Sequence, residues 1–369
     1  MVVLIDQALF GEPIARGLPF LEVFALARAG RHRILTIPTY DPGGQDALND
    51  WLSKQSPEVA EDVRRILTSS IQAISSLPAA TNKVRLVAAR VSDWQAAQLT
   101  IEDALRLLRC PLGLLLENRR SDFQFLLRLA PPTQREALRR ALEEGWIEVL
   151  HGCGLEEMMA MIDELVGSAN ASVMSRARLS RLWVMFDRDS DPADRTKPSR
   201  QSERFRSQCA QVGNPCPWPL TFHQLGRRSI ENYLPEKLLR IWQAEAAGPE
   251  KTRRREKIDA LCQLKKDNPR AAWQYNMKGG LLKDLPGETR KEIHDQGRAI
   301  RDADLDPAFR GIDDAQRSAL TNGFGDKIAD LFAKEQPGCE EWFKTEYERQ
   351  RPSAHPTREA MLSSLVARI

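Results

Sequence analysis

The chain has 369 residues, of which 42% are hydrophobic, and its formal net charge is only +3. This length predicts two or three compact units, and the apolar fraction suffices for buried cores, which excludes a disordered chain. So small a net charge does not indicate a nucleic-acid-binding protein, and any basic surface must be local. The six cysteines form no CxxC pair, and no apolar run approaches the roughly 18 residues of a membrane span. We therefore expect a cytoplasmic protein without membrane contact.

Residues 1–110 form the first predicted region, which we expect to be α/β or mainly helical. Apolar residues at three- and four-residue spacing predict a helix over 45–78, and alternation predicts a strand over 83–90. Thr100 and Asp103 have the spacing of a capping box, which predicts that a helix begins there. None of these patterns indicates chemistry, so the role of this region stays open.

Residues 111–236 form the second predicted region, in which short apolar runs alternate with helical patterns. This alternation predicts crossover connections and a parallel sheet flanked by helices. Continuous apolar strands are what a sheet covered on both faces requires. The predicted strands are 112–116, 147–150, 182–186 and 220–223, and the predicted helices are 122–129, 133–144, 155–166 and 199–211.

Residues 237–369 form the third predicted region, which is charged and mainly helical. Its helical pattern is interrupted at 278–280, 285–287 and 322–325, where glycine or proline occurs. We expect a helical subdomain that completes the core of the second region.

Acidic residues follow the predicted strands of the second region. Glu117 comes directly after the first strand, Asp187 and Asp189 follow the third, and Glu231 lies shortly after the fourth. Ligands of an open parallel sheet bind beyond the carboxyl ends of its strands, so these side chains are expected to converge. Carboxylate oxygens are the protein ligands that magnesium prefers.

Each acidic residue also has a simpler interpretation. An isolated glutamate such as Glu117 is commonly a solvated loop residue, and Glu231 could be a charge at the start of a helix. The run from Asp187 through Asp189 to Asp191 could be a turn closed by its own side chains. Their occurrence after successive strands favours a shared site over three separate accidents.

Three segments resemble a known family. LLLENRRSDFQFLLRL (114–129) resembles the first Toprim motif, a strand that ends in glutamate and is followed by an aspartate that opens a helix. WVMFDRDSD (183–191) resembles the Toprim DxD motif. HQLGRRSIENYLP (223–235) is similar to a segment of Toprim-like proteins of bacterial anti-phage defence systems, related to the overcoming-lysogenization-defect nucleases. The resemblance covers about 112–236, with a weaker similarity at NMKGG (276–280) and NGFGDKIADLF, and leaves the first region uncovered.

The resemblance implies a Toprim-like Rossmannoid sheet and a metal-dependent nuclease that hydrolyses phosphodiester bonds of DNA or RNA. One or two magnesium ions, for which manganese could substitute, are the implied cofactor. Lys278 would lie near the scissile phosphate, although it could equally be an exposed lysine before a Gly–Gly turn. The spacing departs from the family in one place, because Asp122 follows Glu117 by five residues instead of four. The implied metal ligands are Glu117, Asp187, Asp189 and Glu231, with Asp122 and Asp191 beside them.

Basic residues flank the acidic ones. Arg119 and Arg120 follow the first glutamate, and Arg227 and Arg228 precede the last. A local positive rim suits contact with a phosphate backbone, although charged helices are usually just solvated. The sequence has no G-x-x-x-x-G-K-[ST] phosphate loop. Related defence nucleases often work beside an ATPase, so the resemblance implies a separate ATPase or sensor protein as partner and leaves a homo-oligomer open.

Other classes of protein remain open. A strand that ends in DxD also occurs in haloacid-dehalogenase-type phosphatases and in metal-dependent glycosyltransferases. The phosphatase interpretation requires the aspartate on the first strand of its domain, whereas here it follows the third predicted strand. A second alternative is a non-catalytic Toprim-like subunit that binds nucleic acid or a partner. The sequence does not distinguish DNA from RNA as the target.

Overall fold

The structure, a computed structural model, describes residues 1–37, 47–75, 77, 81–170, 172–191, 194–195, 197–212, 217–349, 351 and 355–369. Within these residues two four-stranded sheets occur, and all of their strand pairings are parallel. Helices flank both sheets. The expected α/β class with a parallel sheet flanked by helices is therefore confirmed.

The first sheet has β1 at its centre, with the strand order β2-β1-β3-β4. Its core joins the strands to aromatic side chains of the neighbouring helices, among them Phe20 and Trp51. The elements are β1 (Val2–Asp6), α1 (Leu18–Arg28), β2 (Arg33–Ile37), α2 (Ala47–Ser53), α3 (Pro57–Ile74), β3 (Lys83–Leu86), β4 (Gln98–Leu99) and α4 (Ile101–Arg109).

Two predictions in this region need correction, and one is confirmed. The described part of the predicted helix 45–78 consists of two helices, because Pro57 lacks the N–H that would continue α2 and instead begins α3. Residues 45–46, 76 and 78 lie outside the described part of the chain. The strand predicted over 83–90 ends at Leu86. The Thr100 side chain accepts a hydrogen bond from the Asp103 amide at 3.3 Å, so α4 begins where the capping pattern predicts.

The second sheet repeats the same relative strand order, β6-β5-β7-β8. The predicted positions of its strands are confirmed to within one residue, whereas helix α8 was not predicted. Strand β6 pairs with one side of β5, and β7, which comes later in the chain, pairs with the other side of β5. The elements are β5 (Leu112–Leu116), α5 (Arg119–Leu129), α6 (Pro132–Glu143), β6 (Ile147–His151), α7 (Leu155–Ala169), α8 (Val173–Ser180), β7 (Leu182–Phe186), α9 (Arg200–Gln211) and β8 (Thr221–Gln224).

Both faces of the second sheet are covered, which explains its continuous apolar strands. Leu114 and Trp183 belong to one core with α5 and the C-terminal helices. Leu115 and Val184 belong to another core with α7 and α9. Side chains of a strand alternate between faces, so every residue of β5 and β7 is buried.

The C-terminal residues are helical, as predicted, and pack on one face of the second sheet. Phe125 of α5 contacts the ring of Phe332, with centroids 5.4 Å apart. Every helix in the described ranges is too short or too polar to cross a bilayer. The α-helices are α10 (Glu236–Ala244), α11 (Gly248–Asp267), α12 (Pro269–Gln274), α13 (Gly280–Asp284), α14 (Gly287–Gln296), α15 (Asp314–Leu320), α16 (Cys339–Glu348) and α17 (Arg358–Val366). Short 3₁₀ segments are Gln7–Gly11, Pro13–Arg16, Ile230–Tyr233, Asp302–Asp304, Pro307–Phe309 and Asp326–Ala333.

Candidate metal centre at the carboxyl edge of the second sheet

The chain order of the second sheet changes direction between β5 and β7, and ligands of open parallel sheets bind at such a point. Glu117 follows β5, and Asp187 follows its neighbour β7. The Asp187 amide donates to the Glu117 carboxylate at 3.4 Å. Asn118 caps α5 by accepting hydrogen bonds from two amides, so the helix begins three residues before its predicted start. The first acidic motif is therefore a strand end joined directly to a capped helix.

Asp122 lies in the first turn of α5 and is buried. Its carboxylate accepts a hydrogen bond from the Asn118 amide at 2.8 Å. This bond closes the turn that carries Glu117. Despite the five-residue spacing, Asp122 therefore lies beside the acidic group, where burial, followed by repulsion from Glu117 and Glu231, raises its pKa.

The DxD turn is fixed against the loop that follows β8. Asp187 accepts a hydrogen bond from the Ile230 amide at 3.2 Å, and its backbone carbonyl accepts one from the Ser202 hydroxyl at 2.9 Å. Asp189 has a φ of +49°, a left-handed conformation that aspartate tolerates better than most residues. Its amide donates to the Arg228 carbonyl at 2.9 Å. The strained turn is thus held by tertiary hydrogen bonds.

Glu231 lies in the short segment Ile230–Tyr233 and is only 1% exposed. Lys278 donates to one of its carboxylate oxygens, Oε1, at 2.9 Å. The other oxygen, Oε2, is buried and has no hydrogen-bond partner among the described residues. The Asn232 amide group anchors the segment by donating to two backbone carbonyls of the C-terminal region. A buried carboxylate oxygen without a partner is energetically unfavourable, so a cation or a hydrogen-bond donor bound to this atom would stabilise the site.

The electrostatics of the site reflect crowding of negative charge. Burial, followed by repulsion from Asp189, raises the pKa of Glu117 to about 7. Burial raises the pKa of Asp122 to about 7 and that of Asp187 well above its usual range, and it also raises that of Asp189. Burial lowers the pKa of Lys278, but the Glu231 carboxylate outweighs this effect and the net shift is upward. A single lysine does not balance the cluster.

The donor set fits a hard divalent cation, since magnesium takes carboxylate oxygens and water. Both the unpartnered Glu231 oxygen and the mutual repulsion of the carboxylates would be relieved by such an ion. As they stand, no three His, Cys, Asp or Glu side chains among the described residues are arranged to hold a metal. Binding would therefore require some carboxylates to reorient.

Lys278 is carried by a loop in which two glycine segments pack back to back. Gly280 has a φ of +71°, and a Cβ there would lie 2.4 Å from the Gly323 nitrogen. The Phe324 amide donates to the Met277 carbonyl at 2.7 Å. NMKGG and NGFGDKIADLF, the two weakly similar segments, therefore meet in space and position the lysine.

The basic residues divide into two groups. Arg119 and Arg120 are exposed at the start of α5, beside Glu117. Arg228 is mostly buried, and its guanidinium pairs with Asp284 at 2.5 Å. Asp191 pairs with Arg200 at 3.8 Å. Arg119 and Arg120 are thus accessible to a phosphate, whereas the Arg228 guanidinium is engaged by Asp284.

The prediction that Arg227 contacts a phosphate is wrong in this structure. Arg227 is only 3% exposed, and its guanidinium pairs with Glu346 at 2.6 Å. It also lies over the Tyr233 ring, 4.6 Å from the centroid, and donates to the Asn232 carbonyl at 2.6 Å. Lys265 shares the Glu346 carboxylate at 2.8 Å. Arg227 therefore supports the segment that carries Glu231 from inside the protein.

Sequence reasoning missed Asp284, Glu346 and Lys265, because they lie outside the acidic motifs in charged helices. Asp284 had one weak signal, its position shortly after the Gly–Gly turn. Glu346 is 119 residues from the arginine it pairs with, and no local pattern marks it.

The chain matches no protein-family model, no curated protein and no solved structure. Membership of the Toprim family therefore remains an expectation drawn from the motifs.

Proposed function

We propose that this chain is a Toprim-type nuclease that hydrolyses phosphodiester bonds of DNA or RNA and depends on a divalent cation. The observation that carries the proposal is the carboxylate cluster at the carboxyl edge of the second sheet. It combines residues from the ends of β5 and β7 with Glu231, whose second oxygen is buried without a partner. Buried carboxylates in such excess are costly in a protein without a bound cation.

The residues of the site divide the work. Glu117, Asp187, Asp189 and Glu231 would hold magnesium, which supplies an activated water and neutralises charge on the attacked phosphate. Lys278 has a side chain that is 44% exposed, so its ammonium group is within reach of solvent and can donate to a phosphate oxygen.

Arg119 and Arg120 are suited to bind the nucleic-acid backbone, because they are exposed at the N-terminus of α5, where helix amides favour anions. Contacts to phosphate position a strand without selecting its sequence. This arrangement favours a nuclease whose target is chosen by a partner or by nucleic-acid structure.

A separate ATPase or sensor is proposed as the partner, with the chain as effector of a bacterial anti-phage defence system. Two points support this, namely the resemblance of HQLGRRSIENYLP to defence proteins and the lack of a phosphate-loop motif in the sequence.

A second candidate function is a non-catalytic subunit that binds nucleic acid or a partner. It is favoured by the Lys278–Glu231 pair, because a lysine neutralises part of the cluster without a metal. The lack of a preformed metal-binding group in the described residues also favours it. In this function Lys278, and not a metal ion, would balance the charge of the carboxylates.

The two functions are distinguished by two measurements on the full-length chain. Plasmid DNA and total RNA are incubated with it in magnesium, manganese or chelator, and the thermal midpoint is measured under the same conditions. The nuclease proposal expects cleavage only with a divalent cation, and a midpoint raised by millimolar magnesium but not by sodium at equal ionic strength. Nucleic-acid binding without cleavage and without a magnesium-dependent midpoint would instead establish the non-catalytic function.

A further inference from the structure

A group of buried cations lies at the opposite, amino edge of the second sheet. Arg181 directly precedes β7 and is only 1% exposed. One of its terminal nitrogens, Nη1, donates to the Arg368 carbonyl. Its Nε and Nη2 atoms are buried and have no hydrogen-bond partner in the described part of the chain.

The position of these two atoms is informative. Nε and Nη2 lie on the same edge of a guanidinium, where their parallel N–H groups form the fork that takes two oxygens of a carboxylate or phosphate. Arg181 therefore keeps its oxyanion-binding edge unpaired inside the protein. Leaving a buried charged donor unpaired is strongly unfavourable, and native proteins rarely do so.

Two more arginines with unpartnered donors lie near Arg181, since both act on its charge and the Arg368 carbonyl accepts a hydrogen bond from it. Arg31, in the turn before β2, is 9% exposed, and Arg368, after α17, is 6% exposed. Each has one buried nitrogen without a partner in the described residues, Nε in Arg31 and Nη1 in Arg368. Burial, followed by repulsion from Arg31, lowers the pKa of Arg181 to about 9, and burial lowers that of Arg368 to about 10.

Backbone carbonyls account for only part of this charge. Arg31 donates to the carbonyls of Arg109 and Cys110 at the end of α4, as cations commonly do at the C-terminus of a helix. Arg368 donates to the Pro219 carbonyl at 2.8 Å. These bonds leave the fork of Arg181 and one nitrogen on each neighbour unused.

We propose that Arg31, Arg181 and Arg368 bind a small tetrahedral oxyanion, inorganic phosphate or sulfate, enclosed between the first region, the second sheet and the last helix. The fork of Arg181 binds two of its oxygens, and the other two arginines donate to the remaining ones. The anion thereby links three segments that are far apart in the sequence. The proposal is independent of the nuclease function, because it concerns the opposite edge of the sheet.

The test is a titration of the thermal midpoint. The full chain is dialysed into chloride buffer, and sulfate or phosphate is added at constant ionic strength. The wild-type midpoint should rise by several degrees and then saturate in the millimolar range or below. Sulfate also stabilises proteins generally by exclusion from their surface, but that effect does not saturate. Ion chromatography of the denatured chain, purified without either anion, measures any phosphate or sulfate that remained bound and identifies it.

Variants of Arg181 decide whether the effect belongs to this site. Arg181→Met removes the fork, so it should abolish the saturable rise and bound anion while losing no stability in chloride, since an unpaired buried charge is removed. Arg181→Lys keeps the charge without the fork and should require at least tenfold more anion. Arg178→Met changes an exposed arginine on the preceding helix and should titrate like the wild type.

Three results would overturn the proposal. The first is a wild-type chain that contains no phosphate or sulfate and shows no saturable rise. The second is an Arg181→Met variant that titrates like the wild type or retains the anion. If that variant does not fold, an Arg181→Lys variant with unchanged anion dependence is the third. In each of these cases the Arg181 fork does not bind an oxyanion.

Discussion

The two sheets have the same relative strand order and all-parallel pairing, yet their carboxyl edges differ. At the first sheet, Asp6 ends β1, the central strand. Its carboxylate accepts a hydrogen bond from the Ala8 amide at 3.3 Å and pairs with Arg85 of the neighbouring β3 at 2.6 Å. At the second sheet, Glu117 directly follows β5, and burial, followed by repulsion from its acidic neighbours, raises its pKa.

This difference teaches that strand order creates a place for a ligand but does not create a function. The Asp6 carboxylate has a cation on the next strand and a capping amide, so its charge is already satisfied. The second sheet gathers more carboxylates than its single lysine can neutralise, and one Glu231 oxygen has no partner in the described chain. An unbalanced charge, more than a shared topology, is what marks a candidate site.

The largest expected effect is a loss of stability, which should differ between variants of Arg227 at the second sheet and of Arg85 at the first. Arg227→Met removes a buried guanidinium and leaves Glu346 with Lys265 at 2.8 Å and the more distant Arg349 at 3.9 Å, which should lower the free energy of unfolding by about 3–5 kcal/mol. Arg85→Met breaks a pair whose arginine side chain is 42% exposed and should cost less than about 1 kcal/mol. Urea unfolding monitored by circular dichroism measures both values. Equal losses in the two variants would contradict the buried, supporting role of Arg227.

The next largest effect is expected on the rate of cleavage when the carboxylate of Glu117 or Asp6 is replaced by an amide. Glu117→Gln should reduce divalent-cation-dependent cleavage by more than about 100-fold. Loss of a residue that only orients a metal ligand lowers activity by about 10–100-fold, and loss of the ligand itself should lower it further. Its midpoint in chelator should not fall, since a repelling buried carboxylate is removed. Asp6→Asn, at the first sheet, should keep wild-type cleavage. Wild-type activity in Glu117→Gln, measured where magnesium is required, would rule out the proposed mechanism.

A smaller effect is expected from Lys278, which pairs with Glu231 at the second edge. Lys278→Met should lower cleavage by about 100-fold if its ammonium group stabilises charge on the phosphate. The same change frees the Glu231 oxygen that the lysine now occupies, so magnesium should bind several-fold more tightly. Isothermal titration calorimetry measures the change in magnesium affinity, and cleavage rates measure the change in catalysis. Weaker magnesium binding together with unchanged cleavage would contradict both roles.

Much of the second sheet could be predicted from the sequence, because local features determine it. LGLLL lies between Pro111 and Glu117 and LWVMF between Arg181 and Asp187, and the structure gives both strands the predicted bounds. The acidic residues that follow them were found by the same reasoning, since a strand end fixes where the next side chain lies. That they bind a metal stays a prediction.

Long-range contacts explain what could not be predicted. Arg119 and Arg227 look alike in the sequence, each followed by another arginine, yet the first is exposed and the second buried. Helix α8 (Val173–Ser180) was missed because its sequence, VMSRARLS, has few apolar residues at helical spacing. The arrangement of the first sheet was not predicted, because β4 has only two residues and the pairing of β2 with β1 joins residues far apart in the sequence.

The smallest expected effect concerns an ionisable ring within the fourth strand of the second sheet. His223 of β8 hydrogen-bonds to the Ser364 hydroxyl at 2.9 Å and lies 5.1 Å from the Trp183 ring, with Arg368 as the charged group that acts on it. Burial, followed by the Arg368 charge, lowers the pKa of His223 to about 4.

Because the pKa is lower in the folded protein than its ordinary value of about 6.5 in the unfolded chain, the unfolded state binds the proton first as pH falls. His223 therefore contributes stability above pH 6.5 that is lost progressively towards pH 4, by about 1.4 kcal/mol at pH 5.5. Relative to the wild type, His223→Gln should become more stable by this amount between pH 7.5 and 5.5. His294→Gln, which changes a ring that is 90% exposed, should keep the wild-type profile. Parallel profiles for the wild type and His223→Gln across this range would show that the ring is protonated without penalty in the folded protein, and that the carboxyl half of β8 is more accessible to water than its packing indicates.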